Sequence, residues 1–124
     1  MQIFTLDEAN ALIPVLEPML IEMLYLYSHV DAMRDEARAA AASSTKGGGM
    51  EGGTKYVNAL YKIGKLTTEI HELGAELKDY ERGLIDFPSM RGDRLVLLCW
   101  QLGEGEEIGW WHEPEAGFAG RQRL

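Results

Sequence analysis

Gly83–Gly120, GLIDFPSMRGDRLVLLCWQLGEGEEIGWWHEPEAGFAG, decides how this 124-residue chain folds. All three tryptophans, the single cysteine and one of the three histidines lie in it. Its apolar residues alternate singly instead of recurring every three or four. Leu95, Leu97 and Cys99 point to one side of a strand, and Val96, Leu98 and Trp100 to the other. Both sides are apolar, which predicts a strand covered from above and below. Gly103-Glu104-Gly105-Glu106 reads as a turn, with Ile108 to His112 as the returning strand. Leu84 to Phe87 adds a short edge strand, with Pro88 and Gly92 in the loop after it.

Upstream, the period is helical. Thr5-Leu6-Asp7-Glu8 has the form of a capping box and places a helix start near Leu6. Pro14 removes a backbone donor and predicts a kink or short break at Ile13, followed by a long helix from about Pro14 to about Ala42. Along it Leu12, Leu16, Met19, Met23, Leu26, Val30, Met33, Ala37 and Ala40 form a heptad stripe flanked by Ile13, Leu20 and Tyr27. Ser43–Gly53 is glycine-rich and aperiodic, as a flexible connector would be. It lacks the Lys-Ser/Thr pattern of a phosphate loop. A second helix is expected from about Thr54 to about Tyr80, with Tyr56, Leu60, Ile63, Thr67, Ile70, Gly74 and Leu77 as its stripe and Gly83 as its stop.

The expected architecture is a single α+β domain. Residues 1–82 form a long antiparallel helical hairpin, and residues 83–124 a small antiparallel sheet of two to three strands. Each helix has a wider apolar face than one partner covers. A homodimer through the helices, forming a four-helix bundle, is therefore expected.

Charge and composition limit the function. The net charge of -8 disfavours phosphate backbones, so nucleic acid is not expected as a partner. The basic pairs Arg91 with Arg94 and Arg121 with Arg123 are each interrupted. No run approaches the about 20 apolar residues of a membrane helix, and no basic leader precedes an apolar stretch. These readings point to a cytoplasmic protein without a membrane partner, and one cysteine allows no internal disulfide.

The opening FTLDEANALIPVL, the central GLIDFP, and then LCWQLGE, WWHE and GFAGRQ resemble a bacterial family catalogued as domain of unknown function 2203. The likeness spans nearly the whole chain apart from the glycine-rich stretch. It implies no established activity and offers no catalytic residues to carry over; no cofactor is expected.

Four constellations could carry chemistry. Pairing Leu102 with Glu107 would place Cys99 near Trp110 and His112 near Leu97, making Cys99 and His112 diagonal neighbours. With Asp86, Glu104 and Glu113 nearby, the two could be a nucleophile and its base or ligands of a metal. Otherwise Cys99 is a small buried hydrophobe and His112 a strand-end hydrogen bonder. The paired cysteines of structural zinc sites are absent, so no metal is expected. His29 and His71 flank the helix stripes at similar heights, but lack the Glu-x-x-His pattern of bundle metals. Gly117-Phe118-Ala119-Gly120-Arg121 could hold an anion. Alternatively, Phe118 plugs the gap between sheet and helices while Arg121 pairs with Glu113 or Asp86. Adjacent Trp110 and Trp111 must face opposite ways, leaving one for a groove or partner.

Two functions follow. One is a non-catalytic scaffold or interaction protein dimerising through its helices. The other is a small-ligand or metal-binding protein, or an enzyme, with a site around Asp86, Cys99, His112 and Arg121 and with Trp100 and Trp111 among its ligand contacts. An RNA-associated helper ranks last because of the charge.

Overall fold

The computed structural model describes residues 1–44 and 50–124. Among these residues are two helices, α1 (Leu6–Ser44) and α2 (Met50–Glu72). Five strands follow: β1 (Glu76–Asp79), β2 (Leu84–Arg91), β3 (Arg94–Gln101), β4 (Trp110–His112) and β5 (Gln122–Arg123). A short 3-10 turn, Phe118–Gly120, precedes β5. The strands form one antiparallel sheet in chain order. The class is therefore α+β, with a larger sheet than the two to three strands expected.

The capping box forms as read. The Thr5 amide donates to Glu8 Oε1 at 2.8 Å, and the Glu8 amide donates to Thr5 Oγ1 at 3.1 Å. These bonds hold the Glu8 carboxyl below its ordinary pKa, the Thr5 amide contributing most. The break expected at Ile13 does not occur, because α1 runs through both Pro14 and Pro18. The two prolines lie one turn apart on the exposed face. There, the carbonyls left without a donor can be hydrated.

The buried line of α1 runs through Ala9, Ile13, Leu16, Leu20, Met23, Leu26 and Val30. It is rotated toward the expected flank, with Leu12 and Met19 only partly buried. In α2 the same rotation buries Ala59, Ile63, Leu66 and Ile70, and leaves Leu60 44% exposed. The sheet causes this shift. Each helix must meet both its neighbour and the sheet, so its apolar arc is centred between the two.

By length and composition alone, Leu6–Ala42 passes as a membrane span, with a mean hydropathy of 1.4 in its most apolar window. This departs from the reading that no run is long enough. A third of that window is buried, with Ile13, Leu16 and Leu20 packed in the protein core, while Val15 and Ile21 are exposed.

The expected connector over Ser43–Gly53 is shortened at its C-terminal end, since α2 already begins at Met50; residues 45–49 lie outside the described residues. Helix α2 stops eight residues before Tyr80. Gly74 takes φ 97°, and its amide bonds to the His71 carbonyl at 2.9 Å. The freed residues 76–79 become β1, and Gly83 (φ 63°) serves the β1–β2 turn instead of a helix end. Residues Leu84 to Phe87 are likewise no edge strand. They begin β2, which lies between β1 and β3.

Pro88 stands inside β2 and not in a loop. β1 pairs only as far as Asp86, so Pro88 reaches an open edge. Its carbonyl there accepts the Phe4 amide at 2.8 Å, which places the missing N–H away from β3. Ser89 Oγ donates to the Phe4 carbonyl at 2.6 Å, so the N-terminal segment completes this edge. The β2–β3 hairpin turns on Gly92 and Asp93, with a positive φ at Gly92 only, as a type II′ turn requires.

The sheet has two buried faces. Ile85, Phe87, Val96, Leu98, Trp100 and Trp111 join the core with both helices. Leu84, Asp86, Leu97, Cys99 and His112 are buried on the opposite face, beside Pro114, Gly117 and Phe118 of the C-terminal segment. The described residues of one chain hold two α-helices, so the expected four-helix bundle is not seen in a single chain and would require a second copy.

Gly74 and Gly64 give opposite predictions. A Cβ on Gly74 would lie 2.6 Å from Phe4 Cζ, on a backbone with positive φ. Gly74→Ala should cost at least about 1–2 kcal/mol in urea unfolding. At Gly64, inside α2, a Cβ would meet nothing within 4 Å. Gly64→Ala should stabilise by roughly 0.5–1 kcal/mol.

Candidate functional site

Strand register brings three chemically able side chains together on the face turned away from the helices. Asp86 pairs with Cys99 across β2 and β3. Cys99 pairs with Trp110, and Leu97 with His112, across β3 and β4. This is the register in which Cys99 and His112 are diagonal neighbours. The ligand atoms of Asp86, Cys99 and His112 all lie within 4.8 Å of one another. All three residues are buried, with at most 2% of their surface exposed.

The hydrogen bonds fix the protonation pattern. His112 Nδ1 lies 2.7 Å from the Glu113 carbonyl, which can only accept, so Nδ1 carries a proton. His112 Nε2 lies 2.9 Å from Asp86 Oδ2. In the neutral ring Nε2 is itself an acceptor, so a proton or another cation must lie between it and the carboxylate. Burial pushes the Asp86 carboxyl above its ordinary pKa, while His112 opposes that shift. By hydrogen-bond geometry Asp86 Oδ1 is, among the described residues, the one buried side-chain oxygen or nitrogen without a partner, although the Cys99 thiol bears on the same carboxyl and lowers its pKa. An orphaned buried acceptor costs about 1–3 kcal/mol.

Burial likewise pushes the Cys99 thiol up to about 12. Arg121 counters part of this, and the Asp86 charge adds to it. At neutral pH the thiol is therefore protonated and a poor nucleophile. A nucleophile paired with a histidine base does not fit, because His112 directs its free nitrogen at Asp86.

Beside the three residues is a cavity of about 310 Å³, bounded by Leu84, Leu97, Pro114, Gly117 and Phe118 and by the charged Lys78, Asp79 and Arg82. The three charged residues were not foreseen as site residues, because the sequence placed Lys78 and Asp79 in the second helix and Arg82 in its tail. The early stop at Gly74 moves them onto the sheet.

Arg121 covers the cluster from the C-terminal segment. It forms a fork to Glu104 at 3.2 and 2.6 Å, and Nη1 lies 3.7 Å from Cys99 Sγ. Its guanidinium is stacked on Trp110 and on Phe118, each at 4.4 Å from the ring centroid. The pairing expected with Glu113 or Asp86 does not occur. Glu113 is held by Arg94 at 2.7 Å, and Glu104 is fixed by accepting the Gln101 amide. Phe118 is not a plug between sheet and helices; it lies on the opposite face, 38% exposed.

The tryptophans separate as adjacent strand residues must. Trp111 is buried toward the helices, with Arg91 4.4 Å from its ring. Trp110 is partly buried, with Arg121 on it and Arg123 at 4.9 Å. Trp100 is wholly buried on the helix side, its Nε1 donating to the Gly105 carbonyl at 3.1 Å. Trp100 and Trp111, expected among the ligand contacts, are thus packed in the helix-side core, across the sheet from Asp86 and His112. His29 and His71 are both exposed; His29 bonds Ser28 and the Tyr25 carbonyl, each at 2.9 Å.

Fold and site define an α+β protein with a helical hairpin on one face of a sheet and a buried Asp-Cys-His cluster on the other. The chain belongs to the family described as uncharacterized conserved protein (DUF2203), whose model matches residues 2–124. No curated protein and no solved structure matches it.

The thiol gives a direct check. Native protein at pH 8 should resist iodoacetamide at Cys99, and the urea-unfolded chain should be fully alkylated within the same time, read by intact mass.

Proposed function

We propose that this protein binds one divalent transition metal ion, best matched by zinc, through Asp86, Cys99 and His112. The carrying observation is the orphaned Asp86 Oδ1 beside a histidine whose lone-pair nitrogen also faces inward. A backbone carbonyl on Nδ1 is the usual outer partner of a metal-binding imidazole, and leaves Nε2 for the ion. Carboxylate, thiolate and imidazole suit zinc. With Asp86 and Cys99 both ionised, a divalent ion gives a cluster of zero net charge, which removes the cost of burying either charge alone.

Ligand atoms around tetrahedral zinc stand about 3.4–3.6 Å apart, so side-chain shifts of about an ångström would seat the ion. Three protein ligands leave one position for water or a small molecule, the pattern of an open site. The missing cysteine pairs, which argued against a metal, concern closed four-ligand sites.

Chelator competition with reduced protein should show one zinc per chain and a rise in melting temperature. Asp86→Asn, Cys99→Ser and His112→Asn should each weaken zinc by at least about 10-fold. Affinity should rise with pH, because a thiol at about 12 must lose its proton on binding. Failure of the wild-type chain to hold zinc against a weak chelator would reject the proposal.

A second reading concerns assembly. Val57, Leu60 and Tyr61 on α2, and Val15, Ile21 and Tyr25 on α1, are exposed large apolar residues. They support the expected dimer through the helices, in which a second hairpin completes a four-helix bundle. Light scattering should give twice the chain mass, and Leu60→Glu with Tyr61→Lys should return the monomer mass. A monomeric wild-type chain at high micromolar concentration would remove this reading.

A further inference from the structure

We infer that the open position of this centre takes a small oxyanion, a phosphate or a carboxylate, admitted between Lys78 and Arg82. This rests on the metal reading and adds the ligand class. The protein has 12 basic against 20 acidic residues, yet two cations, Lys78 and Arg82, line the cavity beside the buried cluster. Asp79, also on the wall, does not act as a free negative charge. Its Oδ1 accepts the amides of Glu81 and Arg82 at 2.9 and 3.2 Å, and its Oδ2 faces Arg82 Nε at 3.7 Å.

Arg82 is loosely held. That ion pair is long and uses Nε, and the guanidinium otherwise rests on the Phe118 ring at 5.0 Å. Its terminal nitrogens are the part of the fork that grips oxyanions in pairs. Lys78 is tied to Glu76 at 3.0 Å, with both side chains partly exposed. Such a pair contributes little and exchanges readily for a better anion.

Charge addition sets the condition. An ion with Asp86 and Cys99 is neutral, and Lys78 and Arg82 are balanced by Glu76 and Asp79 at rest, so an entering anion meets one net positive charge once it displaces the Glu76 carboxylate from Lys78. A cavity of about 310 Å³ lies at the small end of ligand sites, so the guest is small. The partly exposed Phe118 and the buried Leu84 and Leu97 offer apolar wall for its remaining atoms.

The test loads the full chain with cobalt(II), whose visible bands report its ligands, and titrates inorganic phosphate and acetate separately. A saturable change in the bands with either anion is expected, and the responding anion identifies the source. K78Q/R82Q should keep the cobalt bands but need at least ten-fold more anion. Cobalt bands indifferent to both anions, or a double variant responding at wild-type concentrations, would overturn the inference and leave the metal site standing. Absence of cobalt bands from the wild-type chain would defeat both.

Discussion

A central strand that is apolar on both faces constrains everything else. β3 buries Val96 to Trp100 without interruption. Leaving either side wet would expose several large side chains, at about 1.5–3 kcal/mol each. The sheet must therefore be covered twice. The helical hairpin covers the face carrying Phe87, Leu98, Trp100 and Trp111, while the C-terminal segment covers the one carrying Leu97, Cys99 and His112. The second cover is thin: its helical part is the short 3-10 turn Phe118–Gly120, and arginine stacking and the Arg121–Glu104 fork hold it.

That asymmetry locates the chemistry. The helix side is densely packed by long apolar residues, and its buried polar group, Ser89, is satisfied by the Phe4 carbonyl. The other side encloses a carboxylate, a thiol and an imidazole with too few partners for all their lone pairs. A dry layer strengthens any charge interaction within it and penalises any charge left alone. Asp86 and His112 answer this by holding a proton or another cation between them. Cys99 answers it by keeping its proton.

Legibility followed locality. The capping box, the β3 alternation and the hairpin register were readable because each depends on residues a few positions apart. The end of α2 was not. Gly74 and Gly83 are equally able to stop a helix, and the choice fell to Gly74 because Phe4, 70 positions away, packs against it. Taking Gly83 instead hid β1, and with it the approach of Lys78 and Arg82 to the cavity. Pro88 was misplaced for a similar reason. Its tolerance within β2 depends on the Phe4 amide reaching its carbonyl.

The sequence by itself determined the alternation, the caps and the presence of one cysteine and one histidine at diagonal positions, because these are properties of backbone period and side-chain type. Only the tertiary structure decided that Asp86, and not Glu104 or Glu113, is the carboxylate beside Cys99 and His112, that Trp100 and Trp111 serve the core, and that Arg121 answers Glu104. Those choices depend on which sheet face each cover occupies, a three-dimensional fact set by competition among distant apolar surfaces for the same strand.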